Sequence, residues 1–119
     1  MTTVEAVRAF CATLPRAYEV VVHDRVKFRV GQIVFVAFSR DETIVGFGFP
    51  REEREALIES APDTFLLSRP SDARYQWVEA RMDKIDDDEM RELVLDAWCM
   101  CVPKRVAAAH LSEHDLPRR

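Results

Sequence analysis

The chain has 119 residues, 48% of them hydrophobic and 32% charged, which places it among compact soluble domains rather than disordered or membrane-embedded ones. A formal net charge of -4 and a pI near 5.4 argue against general salt-driven attraction to nucleic acid or an anionic membrane, although a local basic stripe can override the global sign. No apolar run is longer than that of Ile33–Phe38, which is far short of the roughly 20 residues that a membrane-spanning helix needs.

In chain order, Thr2 and Glu5 stand at capping-box spacing, and Val7, Phe10, Cys11 and Leu14 fall on one helical face before Pro15. This predicts a short amphipathic first helix. Residues 18–22 read as a connector or edge strand. From Arg25 to Val30 cationic and apolar residues alternate, Gly31 turns the chain, and Ile33–Phe38 follows. A strict two-residue period builds a strand with one apolar face and one cationic face. The polar tetrad Ser39, Arg40, Asp41 and Glu42 reads as a hairpin turn into a further strand over residues 43–49.

Pro50 then opens a helix through Ile58, its early Glu52 and Glu53 suiting the helix dipole, and Pro62 and Asp63 end it. Residues 68–73 form a loop leading to a strand over residues 74–82, marked by Tyr75, Trp77 and Val78. Asp86 stands as an N-cap with Glu89 three residues on, and Met90, Leu93, Val94, Ala97, Trp98 and Cys101 recur at helical spacing. Pro103 bends or restarts that helix, residues 104–110 add a turn or two, and a polar tail from about residue 111 is expected to fray. The expected fold class is α+β: an antiparallel sheet with helices packed on one face, a two-layer sandwich in a single domain over residues 1–119, with the other sheet face open.

Residues 1–5 lack the basic start and apolar core of a secretory signal, and three cysteines, an odd number, are most simply reduced thiols. A cytoplasmic location is expected.

The open face is where function is sought. By the pleat it carries Arg25, Lys27 and Arg29, with His23 beside them. Phe28, Phe47, Phe49, Val78, Ala80 and Met82 point inward, leaving Gly46, Gly48, Tyr75, Trp77, Glu79 and Arg81 outward. Phosphate oxygens want arginine and lysine, and an exposed indole offers a flat surface to a base or a partner side chain. The plain alternative is a solvated sheet face of ordinary charges.

Other constellations are better read as structure. Asp86, Asp87, Asp88 and Glu89 suit a helix N-terminus and lack the glycine of a calcium loop. Cys99 and Cys101 point roughly 200° apart around a helix, so both sulfurs cannot grip one metal, and Cys101 reads as core. His110 and His114 have the i, i+4 spacing of a metal pair but fall in the expected tail, where a solvated terminus is the simpler reading. None of Ser39, Ser60, Ser68, Ser71 and Ser112 sits in a nucleophile elbow, and three glycines supply no phosphate loop. No enzymatic activity, cofactor or metal is expected.

Leu14-Pro15, the segment from Phe28 to Phe35, Pro50-Arg51-Glu52-Glu53, Tyr75-Gln76-Trp77-Val78, Ala97-Trp98 and Val102-Pro103-Lys104 together resemble the MmcQ/YjbR family, over roughly residues 4–108. The resemblance implies a frataxin-like (CyaY-like) fold, an intracellular bacterial protein and a DNA-binding role resting on fold analogy. Where that family often has Trp-Gly before its first strand, this chain has Val21-Val22-His23-Asp24. Two functions follow as expectations. One is a non-enzymatic module whose open face contacts nucleic acid through Arg25, Lys27, Arg29 and Arg81, with Tyr75 and Trp77 nearby and Trp77 stacking. The other is an adaptor that holds a protein partner on the same face. A continuous positive groove favours the first, and a flat aromatic-centred patch the second.

Overall fold

The computed structural model of the chain describes residues 1–113. Its elements are α1 (Val4–Cys11), β1 (Ala17–Val22), β2 (Arg25–Val30), β3 (Ile33–Phe38), β4 (Ile44–Gly48), α2 (Arg51–Ser60), β5 (Phe65–Leu66), a 3-10 turn (Pro70–Arg74), β6 (Trp77–Arg81), α3 (Asp87–Cys99) and α4 (Lys104–Glu113). The strands form one sheet in the order β1-β2-β3-β4-β6-β5, every neighbour antiparallel. The first four strands are a simple meander, as the turn chemistry predicts.

The hairpins have local causes. Val22 pairs with Arg25, leaving His23 and Asp24 as a two-residue turn with φ of 52° and 63°. Positive φ at both central positions is the type I′ geometry that matches strand twist, and Asp tolerates it better than most residues. Gly31, at φ 60°, makes the next turn, and Tyr18 from β1 donates its hydroxyl proton to the Gly31 carbonyl. At the third turn Ser39 and Thr43 both donate hydroxyl protons to Asp41 Oδ1, at 2.7 and 2.8 Å. Those donors hold the Asp41 carboxyl below its usual range.

α1 and α3 cover one sheet face, α3 packing on β3 and β4 and α1 on α3. Phe28, Val36, Phe38, Val45, Phe47, Val78 and Ala80 meet Val7, Leu93, Val94, Ala97 and Trp98 in one core. Trp98 is fully buried, and its indole N–H donates to the Pro15 carbonyl at 2.9 Å, so the turn that follows α1 is tied to α3. The two-layer α+β sandwich expected from patterning is the architecture found.

Several boundaries differ from expectation. Thr3, not Thr2, caps α1 by accepting from the Ala6 N–H at 3.1 Å. Thr2 is buried, its backbone N–H donating to Met82 in an extension of the sheet region. The strand expected over residues 74–82 is shorter, Trp77–Arg81, because the loop expected at 68–73 tightens into a 3-10 turn over Pro70–Arg74, where the Asp72 carbonyl accepts from the Tyr75 N–H. β5, two residues long, is too short for any period to reveal. α4 continues to Glu113, with Leu111 buried, so the chain is packed past the point where fraying was expected. His110 is buried edge-on to Trp98, ring centroids 5.1 Å apart, which replaces the solvated terminus expected for it; His114 lies outside the described residues. Among the described residues no helix is long and apolar enough to cross a membrane.

Candidate functional site

The open face is built by register. Lys27 pairs with Ala37, Ala37 with Gly46, and Gly46 with Glu79, so these four form one row across β2, β3, β4 and β6. Paired residues point to the same side of a sheet. The middle of the row carries a methyl group and a hydrogen while its ends carry long side chains. The result is a trough.

Trp77 leans across this floor. A Cβ added at Gly46 would meet Trp77 Cζ2 at 2.5 Å and Cε2 and Nε1 at 2.7 Å, so glycine is what lets the indole lie there. Trp77 is half-buried and its Nε1 finds no acceptor among the described residues, while the other tryptophan is fully enclosed. Gly48 departs from the simple alternation. Its Cβ position faces α3, 3.7 Å from the Ala97 Cβ, so it belongs to the helix side at the end of β4.

Two adjoining concavities occupy the trough, of about 650 and about 570 Å3. Arg25, Lys27, Arg69 and Glu79 line both. The larger also takes in Val34, Ala37, Tyr75 and Trp77, and the smaller His23, Arg40 and Ile44. The loop after β5 forms the wall opposite β2. Its position is fixed from two sides. The Ser68 N–H donates to Glu79 Oε1 at 2.6 Å, and Arg54 of α2 donates to the carbonyls of Ala73, Tyr75 and Trp77 at 2.6, 2.9 and 3.0 Å. Arg51 adds a bond to the Arg74 carbonyl at 2.6 Å.

The electrostatics centre on Lys27. Partial burial, and then the positive charges of Arg25, Arg29 and Arg69, hold its ammonium below the usual lysine range. Lys27 forms no ion pair, since the salt bridges among the described residues are Arg8–Glu19 and Arg91–Asp88. Arg25 donates its Nε proton to the Phe38 carbonyl at 2.9 Å. Arg29 Nε is buried without a hydrogen-bond partner. Tyr75, 52% exposed, stands at the mouth with the Arg74 guanidinium 4.9 Å from its ring centre.

Of the residues singled out from sequence, Arg25, Lys27, Tyr75 and Trp77 line one groove, and Arg29 lies beside Lys27 on the same strand face. Arg81 does not join them. It pairs with Ile44 at the other end of β6, donates to the Asp63 carbonyl at 3.3 Å and lines a separate hollow with Met1, Glu42 and Thr43. Sequence reasoning missed Arg69, because a loop residue has no period and only the return of the chain over the sheet brings it opposite Lys27. It also missed Arg54, whose helical position gives no hint that it holds a loop. Among the described residues no group of three or more His, Cys, Asp or Glu side chains is gathered for a metal ion.

A family profile described as YjbR matches residues 12–100. The chain belongs to the YjbR family. This YjbR-family chain is also similar to the crystal structure of Deinococcus radiodurans protein DR2400, which carries the domain DUF419: the TM-score is 0.75 and the identity 21%, over 98% of this chain and 91% of that one. That likeness concerns the fold. No curated protein matches the chain. The groove therefore has to be interpreted from its own chemistry.

Proposed function

We propose that this YjbR-family chain is a nucleic-acid-binding module that holds phosphate on the open sheet face through Arg25, Lys27 and Arg29 and stacks a base on Trp77. The observation that carries this reading is the Lys27 ammonium set among three guanidinium groups with no carboxylate paired to it. Like charges gathered in one trough destabilise each other, and a bound polyanion turns that repulsion into attraction. The net charge of -4 confines the attraction to this face. Titration of labelled single-stranded and duplex DNA at low salt tests the proposal. Binding that weakens with salt, and weakens further in Lys27→Ala, is expected. Affinity no greater than that of a neutral control protein, or independent of salt, ends it.

A second reading has one observation in its favour: Tyr75 and Trp77 line one concavity together with Asp72 and Glu79. An aromatic pair flanked by carboxylates suits a protein partner that presents a basic side chain. Loss of a captured partner on Trp77→Ala, with no DNA affinity in the wild type, is the result expected of that reading.

A further inference from the structure

The nucleic-acid reading treats the open face as a surface, whereas the fold makes it a walled trough. Lys27 on β2 and Glu79 on β6 are three strand spacings apart, roughly 14 Å at about 4.8 Å per strand. Beyond β6 the chain between β5 and the 3-10 turn rises over the sheet, and Arg69 at its crest lines the same two concavities as Arg25 and Lys27. Cations therefore face the trough from both walls. The loop wall is fixed by Glu79 holding the Ser68 N–H and by Arg54 holding three carbonyls.

We infer that the trough takes single-stranded nucleic acid, lodging one unpaired nucleotide between Lys27 and Trp77, with Arg69 engaging its phosphate from the loop side. This rests on the nucleic-acid reading above and narrows it. A hollow of about 650 Å3 is the size that encloses a small-molecule ligand, enough for a base with its phosphate. A duplex is broader than the trough, and its bases are already stacked on one another. Trp77 can stack only on a base that is free, which is how sequence-tolerant single-strand binders gain affinity. Arg69 supplies the cation that a flat sheet face would lack. Its side chain is exposed and makes no hydrogen bond among the described residues, so it is free to swing onto a strand that has entered.

The test compares the intact chain with Arg69→Ala and Trp77→Phe, using oligothymidylate of about ten nucleotides and a duplex of the same length, read by anisotropy of a 3′ label at low salt. The single strand is expected to bind at least tenfold more tightly than the duplex. Arg69→Ala should weaken the single strand by roughly tenfold, weaken the duplex by less, and leave the melting temperature unchanged. Tryptophan emission should be quenched by the single strand in the wild type and not in Trp77→Phe, since Trp98 is fully buried. Equal or tighter duplex binding, or single-strand affinity indifferent to Arg69→Ala, overturns the inference while leaving the nucleic-acid reading intact. Absence of binding to either polymer overturns both.

Discussion

Replacing Gly46 with alanine probes the floor of the groove most directly. The new Cβ would stand 2.5 Å from Trp77 Cζ2 and 2.7 Å from Cε2 and Nε1, where carbon atoms in ordinary contact keep about 3.5–4.0 Å. The indole must therefore lift by roughly 1 Å. Forcing a well-packed contact apart costs about 1–3 kcal/mol, and the loss of glycine freedom in the unfolded chain returns about 0.4–1 kcal/mol. A net destabilisation of about 0.5–2 kcal/mol is expected from those two effects. For a chain of this length that lowers the melting temperature by about 2–8 °C. Calorimetry reads the loss, and acrylamide quenching reads the lifted Trp77 against the enclosed Trp98. The decisive arm is the Trp77→Ala background, where the clash is gone and Gly46→Ala should become neutral or stabilising. Equal cost in both backgrounds, or unchanged quenching, would refute the packing argument.

Three further outcomes are expected. Lys27→Met should raise stability slightly, by no more than about 0.5 kcal/mol once solvent screening is allowed for, while lowering DNA affinity. The lysine is held below its unfolded value, so its penalty on the fold is present at neutral pH, fades as pH rises through the lowered folded value and is gone above the unfolded lysine range; a less stable Lys27→Met in chemical denaturation would contradict this. Arg54→Ala should cost about 1–3 kcal/mol, because its charged donors serve three carbonyls, and hydrogen exchange should quicken over residues 68–77 while α3 stays protected. Burial pushes the Cys11 thiol up to about 12, so the stability it contributes is complete below about pH 9 and is lost as pH rises toward 12, at up to about 1.4 kcal/mol per pH unit. Native protein at pH 8 should leave Cys11 unalkylated, and Cys11→Ala should flatten the alkaline limb of the unfolding curve.

Where sequence and structure agree, the reason is local. The alternation over Arg25–Val30, the apolar run Ile33–Phe38 and the helical spacing from Met90 to Trp98 each state a period, and a period fixes which face of an element is buried before any neighbour is known. Asp86, three residues before Glu89, caps α3 as expected, its carboxylate accepting the Glu89 N–H at 2.8 Å. The sheet, the helix layer and the cationic strand face were all legible on those grounds. Tertiary structure decided what no period records. It set β6 between β4 and β5, turned Gly48 toward α3 and carried Arg81 to a different hollow. It also brought Arg69 over the sheet to face Lys27, with Arg54 reaching across from α2 to hold the loop in place. Those contacts join residues tens of positions apart, and their partners are chosen by chain reversal and side-chain reach, neither of which leaves a mark on the local pattern.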